Sequence, residues 1–277
     1  MVRIEARKME FRARVAGMGN SGPGVILLHG FPETSIMWEP LIERAAAAGF
    51  RVVAFDQRGY SPDARPAEPA DYALPELIDD VMAVADAVGF ERFHLIGHDW
   101  GSIVGWTATA LRPDRVLSFA SLSIPHPSAI LEPGTDATPP AYVGLFRTTG
   151  VAEAMFGFGG RWLLNTLIYS NMSAAHRTEY NAVFSEPGAL TMALNWYRAL
   201  DPDRNPMRNA PPVRQPVLYI YGKQDVPAYV NPEVQARLVD YVAGPFESIA
   251  LDAGHWLIQD AEKIVLDALM KHLEGVR

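Results

Sequence analysis

Apolar residues along the chain recur with two periods. Val25-Ile26-Leu27-Leu28, Val52 to Phe55, Val116 to Ile124 and Val217 to Tyr221 are short, nearly continuous runs with the length and branched side chains of buried strands. Phe11 to Ala16 alternates as an edge strand does, and Ile249 to Leu251 reads as a last strand. Between these runs the spacing is helical. Trp38 to Ala48 is closed by Gly49, and the helix from Leu74 has apolar residues at 74, 77, 78, 81, 84, 85 and 88 before Gly89 ends it. Pro232 to Tyr241 has Asn231 as N-cap and proline in its first turn, and Asp260 is expected to cap a terminal helix. Strands alternating with helices predict an α/β fold with a mostly parallel central sheet flanked by helices.

The rhythm stops between residues 128 and 213. Pro139-Pro140 and Pro211-Pro212 form joints around helical stretches such as Gly188 to Leu200, so this part reads as an inserted, mainly helical cap. The expected division is a core from 1 to 127, the cap from 128 to 213, and a second part of the core from 214 to 277. Gly17-Met18-Gly19-Asn20-Ser21-Gly22 matches Gly-x-Gly-x-x-Gly by letter, but a strand follows it where a dinucleotide site needs a helix, so a hairpin turn is expected.

Composition narrows the partners. With 24 Lys+Arg against 32 Asp+Glu the net charge is −8, which argues against nucleic acid or an anionic membrane. Cysteine is absent, which excludes disulfides, thiolate metal sites and a cysteine nucleophile. Met1 to Lys8 lacks the apolar core of a signal peptide and no run reaches membrane-spanning length, so a cytoplasmic location is expected. The histidines His94, His126, His176 and His272 show no metal-ligand spacing, and neither metal nor cofactor is expected.

The chemistry concentrates in Phe93 to Gly105. An apolar strand runs into Gly97-His98-Asp99-Trp100-Gly101, and a helix follows with small residues at Gly101, Gly105 and Ala108. Gly-x-Asp-x-Gly has the spacing of a nucleophile elbow, with an aspartate where a serine usually stands. A carboxylate is ionised at neutral pH and attacks an electrophilic carbon without a base. The resulting ester still needs a base and an oxyanion hole for its hydrolysis. His29-Gly30-Phe31-Pro32-Glu33 follows a buried strand, so the Phe31 amide can join that of Trp100 as an oxyanion hole. Gly222-Lys223-Gln224-Asp225 and Asp252-Ala253-Gly254-His255-Trp256 follow the later strands. They supply an acid, Asp225, to orient a base, His255. His98 is expected to be structural and to point away from Asp99, and His29 to brace the oxyanion loop.

The whole chain resembles the α/β-hydrolase superfamily, and these motifs resemble those of its epoxide hydrolase branch. The resemblance implies an α/β-hydrolase fold in which two cap tyrosines donate hydrogen bonds to the epoxide oxygen. Tyr142, upstream of Phe146 to Ala154, and Tyr197, in Asn195-Trp196-Tyr197-Arg198, match those motif contexts. The implied reaction turns a small epoxide and water into a vicinal diol through an ester on Asp99, in a pocket lined by Trp100, Trp256 and Phe31. A dehalogenase on the same scaffold is the nearest alternative, but Phe31 stands where such enzymes commonly place a halide-binding asparagine. A noncatalytic binding protein on this fold is the third reading. Oligomeric state, including a homodimer, stays open.

Overall fold

The computed structural model describes residues 1–131, 140–157, 161–201 and 206–276. The strands are β1 (Val2–Ala6), β2 (Met9–Ala16), β3 (Gly24–Leu28), β4 (Arg51–Phe55), β5 (Phe93–His98), β6 (Val116–Leu122), β7 (Val217–Gly222) and β8 (Phe246–Leu251). Among the described residues they form one 8-stranded sheet in the order β1-β2-β4-β3-β5-β6-β7-β8. β2 pairs antiparallel with β1 and with β4, and every other neighbouring pair is parallel.

Every residue of β3 and β5 is buried, because helices cover both faces of the parallel part. Alternate residues along a strand point to opposite faces, and the core divides accordingly. Ile26, Leu28, Val53, Phe55 and Leu95 face α2 (Leu74–Ala87) and α3 (Trp100–Leu111), while Val25, Leu27, Val52, Ala54 and Ile96 lie in the other layer. That second layer is closed by α1 (Glu39–Ala47) and by the C-terminal helix Leu257–Glu274.

Beyond β6 the chain forms α4 (Pro127–Leu131), α5 (Ala141–Arg147), α6 (Val151–Phe156), a short α7 (Arg161–Leu163) that widens into a π turn, α8 (Ala174–Val183) and α9 (Ala189–Arg198). Pro139 lies outside the described residues. Trp196 Nε1 donates to the Arg58 carbonyl and Tyr169 Oη to the Pro32 carbonyl, both in loops that follow strands. Glu179 pairs with Arg14, and Glu186 with Arg12 and Arg65. These contacts hold α8, the turn before α9 and the end of α9 over the carboxyl edge of the sheet. The chain then returns through β7 to α10 (Pro227–Val230), α11 (Pro232–Arg237) and α12 (Leu257–Glu274). Among the described residues no helix is long and apolar enough to cross a membrane.

The structure corrects several expectations. Residues 17–22 form no hairpin, since β4 lies between β2 and β3 and the segment is a crossing connection. β1 was not foreseen, because only Ile4 and Ala6 of its residues are buried and the alternation is too short to read. Asp260 is not the N-cap of α12. The helix leaves the His255 loop directly with Trp256 at the cap, and Asp260 Oδ2 turns back to accept from the Gly254 N–H at 2.9 Å. Asn231 does cap α11, its Oδ1 accepting from Glu233 N–H at 2.8 Å.

Candidate active site

β5 ends in a reversal that brings Asp99 into the cavity. Asp99 has φ 52° and ψ −120°, a left-handed backbone that side chains other than glycine rarely adopt and that costs about 1–3 kcal/mol. The turn closes because strand and helix cross backbone to backbone. A Cβ on Gly97 would stand 2.2 Å from the Gly101 carbonyl oxygen, and one on Gly101 would stand 2.1 Å from that of Leu28. Gly30 leaves room for the carboxylate itself, since a Cβ there would come within 2.4 Å of Asp99.

The two oxygens of Asp99 have different neighbours. Oδ1 accepts from the Phe31 N–H at 2.9 Å, and Oδ2 lies 3.5 Å from His255 Nε2. The Trp100 N–H is at the first position of α3, where helical geometry provides no partner. On the far side of the imidazole, Nδ1 is 2.9 Å from Asp225 Oδ2. Asp225 is fixed in turn, its Oδ1 accepting from the Val226 N–H at 2.6 Å. The structure thus brings Asp99, His255, Asp225 and the Phe31 amide into one constellation.

Its electrostatics follow from burial and pairing. Burial by itself lowers the His255 pKa, but the Asp225 and Asp99 carboxylates outweigh it and push it up to about 10. Burial favours the neutral acid at Asp99, yet the facing imidazole and the Phe31 amide hold it below its ordinary value. The resting pair is therefore an aspartate beside an imidazolium.

Beneath them lies a polar layer that the sequence did not reveal. Glu33 is fully buried, and its Oε1 accepts from Tyr180 Oη of α8 at 3.3 Å and from Gln259 Nε2 of α12 at 2.8 Å. Its Oε2 is 3.0 Å from His98 Nδ1, while His98 Nε2 is 3.0 Å from the His255 carbonyl oxygen. Ser123 Oγ donates to that same carbonyl at 2.7 Å, so the backbone of His255 is gripped by two donors. His98 points away from Asp99 but braces its partner. His29 has a comparable place: its Nε2 accepts from the Gln57 N–H at 3.0 Å, which leaves the proton on Nδ1 to donate to the Gly30 carbonyl at 2.9 Å.

Asp99, Trp100, Tyr142, Trp196, Tyr197 and Tyr229 contribute to the lining of a mainly apolar cavity of about 530 Å³. The rings of Tyr142 and Tyr197 are 6.4 Å apart. Burial raises the pKa of both phenols, and the charge of Asp99 adds to it, so both are neutral donors. The Trp100 ring stands edge-on to that of Tyr197 at 5.1 Å, and Tyr142 Oη lies 3.1 Å from Tyr229 Oη. Tyr229 escaped the sequence reading. The signal that marks it is its position four residues after Asp225, on a turn that Pro227 begins.

Two expected pocket residues stand behind the wall. Phe31 packs among Phe146, Phe184 and Tyr197, because its backbone must face Asp99 and its ring is turned into the aromatic cluster. Trp256 leans edge-on against His255 at 4.9 Å and against His98, since it caps α12 on that side of the imidazole. Trp100 is the one of the three in the lining. Among the described residues no cluster of three or more His, Asp or Glu side chains could hold a metal ion.

Comparison with known proteins places this architecture. A family described as alpha/beta hydrolase fold matches residues 23–261. Epoxide hydrolase A of Mycobacterium tuberculosis is 32% identical, the match covering 96% of this chain and 95% of the relative. Epoxide hydrolase 4 of Homo sapiens is also 32% identical, over 95% of this chain and 75% of its own length. The crystal structure of epoxide hydrolase A from Mycobacterium thermoresistibile superimposes with a TM-score of 0.84 at 29% identity, covering 100% of this chain and 98% of that one.

Proposed function

The chain belongs to the α/β-hydrolase family, and we propose that within it the protein is an epoxide hydrolase that works through an ester on Asp99. The observation that carries this reading is the cavity wall, where an elbow aspartate and two phenols, the half-buried Tyr142 and the buried Tyr197, line one apolar space. The names of the relatives point to the same substrate. We read residues 128–213 as a cap whose task is to bring the phenols over a nucleophile that the core supplies.

In the first step Asp99 Oδ2 forms a bond to a ring carbon and the C–O bond on that carbon breaks. The alkoxide forms in an apolar cavity, where only a nearby donor stabilises it. Tyr142 and Tyr197 are those donors, and the proton that makes the alkoxide an alcohol comes ultimately from the imidazolium of His255. Alkylation removes the charge of Asp99. His255 then has one carboxylate neighbour instead of two, its pKa falls, and the neutral imidazole is ready to act as a base. In the second step it takes a proton from water, whose oxygen attacks the ester carbonyl. The oxyanion is held by the Phe31 and Trp100 amides, and collapse releases the diol and restores both aspartate and imidazolium. Protons balance over the cycle: the one delivered to the alkoxide is recovered from water.

A dehalogenase would use the same aspartate but needs donors for a halide. Here Phe31 stands where such enzymes commonly place a halide-binding asparagine, which counts against that use. Incubation with styrene oxide and, separately, with a bromoalkane tests the assignment. Diol without bromide is expected. Bromide release without diol establishes the dehalogenase instead, and binding with neither product leaves a noncatalytic protein.

A further inference from the structure

The hydroxyls of Tyr142 and Tyr229 are 3.1 Å apart, and only one of them can be the donor between them. Tyr142 belongs to α5, whereas Tyr229 belongs to α10, in the core loop that also carries Asp225. Tyr229 is 8% exposed, lines the cavity, and has its ring 6.3 Å from that of His255. Its backbone is well held: its N–H donates to the Val226 carbonyl at 2.9 Å and its carbonyl accepts from Gln235 Nε2 at 2.5 Å. A phenol so placed is costly to bury unless it is hydrogen-bonded, and the partner of this hydroxyl is the phenol of Tyr142.

Each hydroxyl has one proton to give, so the Tyr142 proton is free for the cavity only if Tyr229 donates and Tyr142 accepts. We propose that Tyr229 is a positioning residue for ring opening: its hydroxyl donates to Tyr142 Oη, turning the Tyr142 proton toward the epoxide oxygen and sharing the charge that builds there. The direction agrees with the opposite effects of the contact, which eases ionisation of Tyr142 and hinders that of Tyr229. No bond to Tyr229 is made or broken. The phenol of α5 is thereby backed by a second donor from the loop that carries the acid.

This inference rests on the epoxide hydrolase reading, and one experiment separates the two. Ester formation and ester breakdown are measured by rapid quench and intact mass with styrene oxide, in the wild type, Tyr229→Phe, Tyr142→Phe and the double variant. Tyr229→Phe is expected to slow ester formation about tenfold, the size of one hydrogen bond to a developing charge. Breakdown of the ester should change by less than about twofold, because that step uses His255 and backbone amides. In the Tyr142→Phe background the second substitution should have no further effect on formation. Formation at the wild-type rate in Tyr229→Phe overturns the proposal, as do equal losses in both steps or independent effects in the double variant, which indicate that Tyr229 merely supports the acid loop. A wild type that forms no ester overturns the epoxide hydrolase reading and this inference with it. Should Tyr229→Phe fold poorly, Tyr229→His, which retains a donor, is expected to form ester faster than Tyr229→Leu, and equal rates overturn the proposal.

Discussion

The two sides of the cavity are built by different means. On the nucleophile side, positions are set by backbone: Asp99 is aimed by a strand-to-helix reversal in which main chains touch, and its Oδ1 is held by a main-chain amide. On the phenol side they are set by side chains, with Tyr197 and Tyr142 placed by aromatic contacts and Tyr142 also by the hydroxyl partner behind it. Backbone geometry survives most single substitutions, whereas a hydrogen-bonded side-chain array loses its aim one group at a time. The nucleophile side should therefore fail as a unit, and the phenol side by degrees.

The sharpest way to separate the two sides is to remove both donors. Tyr142→Phe with Tyr197→Phe should slow ester formation about 10⁴- to 10⁶-fold, at roughly 2.7–4 kcal/mol for each donor, while breakdown of a preformed ester changes little. Single Phe variants should retain activity, as each phenol partly compensates for the other. An undiminished formation rate in the double variant, measured by rapid quench, would refute the assignment of the phenols.

His255→Gln addresses the other side with a somewhat smaller effect. Breakdown should slow about 10³-fold for loss of a general base, and intact mass should show the protein heavier by the mass of the substrate. A normal wild-type turnover with no adduct in the variant would point to direct attack by water.

A still smaller effect concerns stability. Glu33 is fully buried and joins the β3 loop to His98, Tyr180 and Gln259. Glu33→Ala takes the acceptor from Tyr180 Oη and Gln259 Nε2 and the carboxylate from His98 Nδ1, and should cost about 3 kcal/mol, read from the denaturant midpoint. Loss of under about 1 kcal/mol would mean that the layer beneath the site does not brace it.

The pH dependence of stability is the finest probe. His255 is raised from its ordinary value to about 10, so its contribution is complete below about pH 6.5 and is lost as pH rises through about 10. Asp225→Asn removes the largest upward influence. The wild type and this variant should differ most at neutral pH or below and draw together above pH 10 in denaturant titrations. A difference that does not shrink on the alkaline side would show that the imidazolium is not held by Asp225.

This contrast also explains what the sequence disclosed. Backbone positions leave letters: Gly97 and Gly101 flank Asp99 at fixed spacing because a crossing of main chains excludes larger residues, and Gly30 can be read before Phe31 because the Asp99 side chain fills the space a Cβ would need. Strand periodicity gave most of the sheet, missing only β1, with its two buried residues, and the connection across β4. Side-chain layers leave no comparable mark. Phe31 and Trp256 read as pocket residues because aromatic residues beside a catalytic motif can face either way, and tertiary packing turned both behind the wall. Glu33 and His98 lay within quoted motifs, yet nothing in their spacing reveals that they meet. Tyr229 belongs to the same class, meeting Tyr142 only once the long helical segment has folded back over the core.

The hold of the Phe31 amide on Asp99 Oδ1 has an isotopic consequence. In the proposed cycle the anchored oxygen remains the carbonyl oxygen of the ester, and Oδ2 departs in the diol. Water then refills the vacated position. If the amide prevents the carboxylate from turning over between cycles, the aspartate becomes a memory with one permanent and one renewable site. During repeated turnover in ¹⁸O-water each enzyme should acquire a single heavy oxygen on Asp99 and keep its original partner, whereas a freely rotating carboxylate would exchange both.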